Sequence, residues 1–171
     1  MKRLLLIAAL VPFFAGSPVE ASSSFRTEYL TGLDDIGRKL VDLSESIPAE
    51  KYSWRPGTDV RSISEVFTHV AGSNYFLLTF VGEQPPADLP LEIEKVTEKA
   101  RVVAELKRSL EFLRASASTI TDEDAEKPVK LFGKTTTQRA VYITILNHLH
   151  EHLGQSIAYA RMNGVTPPWS R

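Results

Sequence analysis

The sequence predicts an all-α protein, a four-helix bundle that follows an N-terminal signal peptide. Four long stretches repeat apolar residues every three or four positions, which is the period of an amphipathic helix. Proline and glycine residues separate these stretches. With 171 residues, of which 43% are hydrophobic and 24% charged, the chain has the composition of one soluble domain. Four helices joined by loops such as those between these stretches pack most simply as a four-helix bundle.

Residues 1–21 have the pattern of a signal peptide. Two basic residues are followed by an apolar run, residues 4–16, which is shorter than the roughly 20 residues that a transmembrane helix needs. Val19 and Ala21 place small residues at the first and third positions before the expected cut, as signal peptidase requires, so we expect cleavage after Ala21. The mature domain would then comprise residues 22–171, be periplasmic or secreted, and have no stable membrane insertion.

The first two helices are predicted from periodicity and from the residues that end it. The first covers residues 25–46 and ends before Pro48. Its apolar side chains recur at Phe25, Tyr29, Leu33, Ile36, Leu40 and Leu43. A loop rich in turn residues follows, and the second helix begins near Ser62 or Ser64 and runs to about Val81, where a glycine and a proline pair end it.

The second half of the chain carries two further periodic stretches. The third helix is predicted over residues 93–120, with a charged face exposed to solvent. A polar loop, residues 121–136, comes next and contains a short extended piece at residues 129–132. The fourth helix covers residues 137–163, and Gly164 stands at its expected C-terminal cap.

Charge and cysteine content exclude several classes of function. A formal net charge of -1 gives no electrostatic reason to expect binding to nucleic acid or to an anionic membrane. The chain has no cysteine, so it has no disulfide, no thiolate nucleophile and no cysteine-ligated zinc. A small-molecule substrate is therefore the expected partner.

Three of the four histidines have a pattern suited to metal binding. His148 and His152 are four residues apart on the fourth helix, so their side chains project from one face on successive turns. Both border the apolar side of that helix, and His69 occupies the matching border of the second helix. Two neighbouring helices of this kind can bring three imidazoles together beside the core. His150 points away, and we exclude it.

Three histidines with no evident fourth protein ligand are typical of a catalytic rather than a structural zinc-type site. An ion there would lower the pKa of bound water to roughly 7 and supply a nucleophile or base. Glu151 and Gln155 lie near the same face and are candidate auxiliary catalytic groups. Leu149 stands where zinc proteases carry glutamate, which argues against a peptidase. Partly buried histidines paired with carboxylates or carbonyls remain the alternative.

Four motifs in order along the chain resemble those of the DinB-like (DinB/YfiT-type) family. They are Trp54-Arg55-Pro56, His69-Val70-Ala71, His148-x-x-Glu151-His152-x-Gly154-Gln155 and Tyr159-x-Arg161-x-x-Gly164-x-x-Pro167-Pro168. The last two are the most specific, and the resemblance covers nearly all of residues 22–171. It aligns His69, His148 and His152 with the metal-binding triad of the family.

The resemblance implies a four-helix bundle, often a homodimer, that binds zinc, nickel or another divalent metal ion. Characterised relatives include transferases that use bacillithiol and an isomerase that uses mycothiol. Two functions stay open for this chain. The first is an exported metal-dependent hydrolase or transferase that acts on a small molecule. The second is a non-enzymatic metal-binding or stress-related protein of the cell envelope.

Overall fold

A computed structural model describes residues 24–90 and 92–170, and the predicted signal peptide lies outside this range. In the described part of the chain, four long helices form the bundle. Their bounds are α1 Phe25–Ser46, α2 Ile63–Leu78, α3 Lys99–Thr119 and α5 Gln138–Met162, with a short helix, α4 Asp122–Ala125, before the last. The predicted four long helices are therefore present.

The starts of α1 and α2 are fixed by capping serines. The Ser24 hydroxyl accepts a hydrogen bond from the backbone N–H of Thr27, and Ser62 forms a reciprocal capping box with Glu65. The predicted bounds of α1 are confirmed. The helix α2 ends earlier than predicted, at Leu78, and a 3-10 turn continues the chain to Val81.

The third helix is shorter than predicted. Residues Ile93–Lys95 form a separate 3-10 turn, and α3 begins only at Lys99. The break occurs because the carboxylate of Glu98 accepts hydrogen bonds from the backbone N–H groups of Ala100 and Arg101, which makes Glu98 the N-cap. Residues 93–98 are thereby freed to lie against another helix.

The segment that the sequence predicted as a loop contains α4 and a β-hairpin. Strands β1 (Pro128–Leu131) and β2 (Lys134–Thr137) pair antiparallel, with Leu131 opposite Lys134. The predicted extended piece is therefore half of a hairpin, and its partner strand supplies the backbone hydrogen bonds that an isolated strand lacks. Its two-residue turn is Phe132–Gly133, and both residues have positive φ.

The bundle buries one main apolar core, to which all four long helices contribute. Helix α1 packs beside α3 and α5, and α2 packs beside the same two helices. Consecutive helices α1 and α2 therefore occupy opposite corners, whereas α2 and α5, which carry the three candidate histidines, are neighbours. Within residues 24–90 and 92–170, no helix has both the length and the hydropathy that crossing a bilayer requires.

Candidate metal centre

The structure brings the three predicted histidines together where α2 faces α5. One ligand nitrogen from each of His69, His148 and His152 lies within 4.8 Å of the other two. The ring centroids are 4.4 to 5.2 Å apart. His152 is 8% exposed, and the other two rings are partly exposed. The cluster is thus seated at the edge of the core with one side open to solvent, as the helix faces predicted.

His69 is oriented by a carboxylate on the 3-10 turn before α3. Its Nδ1 lies 2.8 Å from Oε1 of Glu94. Because an ionised carboxylate can only accept, His69 carries its proton on Nδ1 and turns the lone pair of Nε2 toward the other histidines. Close packing places Glu94 there: Ile93 lies over Gly72, where an added Cβ would be 3.2 Å from Cγ2 of Ile93. Gly72 is one helical turn after His69, so the contact brings the acidic neighbour of Ile93 to the ring.

His152 is oriented by a chain of hydrogen bonds along α5. Its Nδ1–H donates to Oε1 of Gln155 over 2.8 Å, and Nε2 of Gln155 donates to the hydroxyl of Tyr159 over 3.0 Å. Tyr159 is buried and packs edge-to-face against Trp54 at 5.4 Å between ring centroids. This chain leaves the Nε2 lone pair of His152 free to bind an ion.

The electrostatics favour the neutral form of two of the imidazoles, those of His148 and His152. Burial, followed by the charges of His152, His69 and Arg61, lowers the pKa of His148 to about 4. Burial is also the largest cause that lowers the pKa of His152, against a smaller opposing effect of its bond to Gln155. Metal ligation requires the neutral form, so this environment prepares the rings for a cation at neutral pH.

The spacing of the rings fits a shared divalent ion. Nε2 of His148 is 3.2 Å from Nε2 of His69. Two nitrogens bound at zinc–nitrogen distances and a tetrahedral angle would be about 3.4 Å apart. In addition, Nδ1 of His148 is buried and has no hydrogen-bond partner among the described residues. The Nε2 atoms of His148 and His69 are within hydrogen-bond distance of each other, and an ion bound between them would replace that contact and leave Nδ1 of His148 unchanged.

The remaining predicted residues differ in their contacts. Gln155 touches the site, but through His152 and not through the open side. Glu151 is exposed, with no hydrogen bond to the described residues, and acts on His152 only through its charge. His150 is exposed, and its Nδ1–H donates to the backbone carbonyl of Leu146. His150 therefore lies outside the cluster.

Sequence reasoning did not predict the role of Glu94. It assigned this residue to the third helix, whose charged face was expected to be only solvated. Glu94 is 25 positions from His69 in sequence, and its side chain is 51% exposed. No local pattern marks such a residue, because the contact depends on how the 3-10 turn packs against α2.

Comparison with known proteins gives one family and several solved structures of the same fold. A sequence profile described as the DinB superfamily matches residues 33–156. The uncharacterised protein YjoA of Bacillus subtilis is 25% identical over 128 residues, which are 73% of this chain and 82% of YjoA. A DinB-like protein of Bacillus cereus superposes with a TM-score of 0.70 at 20% identity, covering 83% of this chain and 95% of its own.

A further solved structure is YfiT of Bacillus subtilis, described as a probable metal-dependent hydrolase with an unusual four-helix bundle topology. It superposes with a TM-score of 0.64 at 18% identity and covers 88% of this chain and 94% of its own. At these identities the structural likeness establishes the shared bundle.

Proposed function

The chain belongs to the DinB superfamily, and from that premise we propose that it is a divalent-metal-dependent hydrolase or transferase that acts on a small molecule. One observation carries the proposal: His69, His148 and His152 converge, and the group contains no fourth histidine, aspartate or glutamate among the described residues. An open position beside three imidazole ligands is the arrangement of a catalytic site. YfiT, described as a probable metal-dependent hydrolase, supports the same class of activity.

Each histidine would have a defined part in holding the ion. Glu94 holds the proton of His69 on Nδ1, and Gln155 does the same for His152, so both rings offer Nε2. His148 completes the set from one turn earlier on α5. A divalent ion bound there, zinc or nickel, would supply Lewis-acid chemistry. Glu151, exposed near the site, would be able to exchange protons with solvent.

The proposal includes the cellular location of the protein. The basic start, apolar run and small residues of the first 21 positions support export, so we place the mature protein in the periplasm or outside the cell. Export would separate the site from cytosolic thiol cofactors, which favours hydrolysis over transfer to such a thiol.

Metal analysis of the purified protein with matched histidine variants tests the proposal. We expect one divalent ion per chain in the wild type and a loss of at least about 100-fold in zinc affinity for His152→Ala, which removes a ligand. The control is His150→Ala, because His150 lies on the same helix but outside the cluster. Absence of a stoichiometric ion, or equal affinity in the two variants, would contradict the proposal.

One observation favours the second function, a non-enzymatic metal-binding protein. A recess of about 540 Å³ beside the centre is lined by residues that include Arg61 and Glu94, but by none of the three histidines. A small molecule held in this recess would therefore not rest on the histidines that bind the ion. A chelator experiment separates the two functions. A large fall in melting temperature after metal removal would indicate a structural ion, whereas a small fall would favour chemistry.

A further inference from the structure

A cluster of three phenylalanines, two of them exposed and one half-buried, begins at Phe76, two helical turns after His69 on α2. Phe76 is 54% exposed and Phe132 is 64% exposed, and Phe80 lies between them with ring centroids 5.3 and 5.2 Å away. Phe76 and Phe132 are themselves 6.4 Å apart. We call these three residues the aromatic patch. A contiguous exposed surface of this kind marks an interaction site, whereas single exposed apolar residues are ordinary.

The backbone at Phe132 makes its exposure more informative. Phe132 has φ of 47° and Gly133 has φ of 80°, and the pair forms the two-residue turn of the hairpin. Positive φ at both positions is the pattern of a type I′ turn, in which asparagine or aspartate is favoured before glycine. Phenylalanine is costly there because its Cβ meets the backbone in the left-handed region. Apart from its ring contacts with Phe76 and Phe80, the exposed Phe132 side chain makes no contribution that would offset this backbone cost.

The hairpin that carries Phe132 is locally basic. Lys130 and Lys134 flank the turn, and residues 128–137 contain no aspartate or glutamate. Lys134 forms no ion pair within the described part of the chain, and Lys130 donates only to the hydroxyl of Thr135. Of the acidic residues just before the hairpin, Asp124 pairs with Lys127 and Glu126 with Arg139. The net charge of -1 therefore conceals a cationic tip.

We propose that the aromatic patch and its two flanking lysines dock on an anionic phospholipid surface. Exposed aromatic rings that enter the boundary between headgroups and acyl chains, next to lysines that contact the headgroups, are the combination that holds peripheral proteins on membranes. A second copy of the chain fits less well. In a two-fold interface the same surface meets itself, so two lysine-bearing hairpins would be brought together although residues 128–137 supply no acidic partner.

Vesicle binding tests this inference and is independent of the metal proposal. The chain from Ser22 onward is used, because the described core lies between Phe25 and Trp169 and the apolar run of residues 4–16 would bind lipid itself. We expect co-flotation with mixed phosphatidylglycerol–phosphatidylcholine vesicles and much weaker binding to phosphatidylcholine alone. Phe132→Asn should lower the partition coefficient about tenfold or more.

The variants separate lipid binding from misfolding. Phe132→Asn suits the left-handed backbone, and this gain offsets the lost ring contacts with Phe76 and Phe80, so its melting temperature should stay close to that of the wild type. Lys134→Glu should weaken binding several-fold on anionic vesicles only, and added salt should reduce the difference. Met162→Gln is the matched control, because Met162 is 65% exposed at the opposite end of α5.

Three results would overturn the proposal. They are absence of binding to the mixed vesicles, equal binding by the wild type and Phe132→Asn, and a dimer in sedimentation velocity that Phe132→Asn dissociates. The last would make a second copy the occupant of the patch. His152→Ala should bind vesicles like the wild type, so failure of the metal site would leave this test unaffected.

Discussion

Replacing Glu94 with alanine tests how far the carboxylate beside His69 sets the metal affinity of the centre. The substitution removes the acceptor that lies 2.8 Å from Nδ1 of His69. It leaves all three imidazoles in place. Without the carboxylate, the ring loses the contact that fixes its tautomer and orientation and that raises the basicity of Nε2.

The exposure of Glu94 determines the size of the expected effect. Loss of a partner behind a metal-bound histidine typically lowers affinity by about 10- to 100-fold. The Glu94 side chain is 51% exposed, so solvent screens its charge and the lower end of that range applies. We expect Glu94→Ala to weaken zinc binding about tenfold, which is about 1.4 kcal/mol. Glu94→Gln keeps an acceptor oxygen and should lose about threefold.

Competition with a chromogenic chelator at pH 7 measures these affinities. Glu92→Ala is the matched control, because it makes the same change in charge just before the same turn, where Glu92 pairs with Lys95 and not with a histidine. Equal zinc affinity in Glu94→Ala and the wild type would refute the orienting role. A loss as large as that of His69→Ala would mean that Glu94 is itself a ligand, and the open position would then be closed by protein.

Three other changes have expected outcomes. Gly72→Ala should lower zinc affinity several-fold, because the added Cβ crowds Ile93 and so displaces the neighbouring Glu94, while the free energy of unfolding changes by no more than about 1 kcal/mol, since the gain in helix propensity offsets the crowding. Chelator titration and thermal unfolding would measure the two effects, and an unchanged zinc affinity would refute the packing argument. The metal-free protein should lose about 1 to 2 kcal/mol of unfolding free energy, discounted for partial exposure, as pH falls from about 6.5 to about 4, because the pKa of His148 is about 4 when folded and the unfolded chain takes up the proton first. Urea unfolding should show this slope, and His148→Gln should reduce it to the part that comes from His152; an unchanged slope in that variant would contradict the prediction. Tyr159→Phe should lower stability by about 1 kcal/mol because Nε2 of Gln155 loses its acceptor, and an unchanged melting temperature would contradict this.

Much of the bundle could be predicted because helical periodicity is local. The bounds of α1 follow from its apolar spacing and from a proline two residues after its end. The grouping of His69 with His148 and His152, and the exclusion of His150, follow from the angular positions of these residues on two helices. The hairpin was only half predicted, because a short strand needs a partner that periodicity does not identify.

The sequence by itself therefore determined the four long helices, their buried faces and the three histidines at the rims of two of them. Only the tertiary structure decided that α2 and α5 are neighbours, that Glu94 meets His69, and that Phe76 and Phe132 form one exposed surface. The physical reason is the range of the interactions. Caps and apolar spacing act within a few residues, whereas the contact of Ile93 with Gly72, which brings Glu94 to the centre, exists only once the helices have packed.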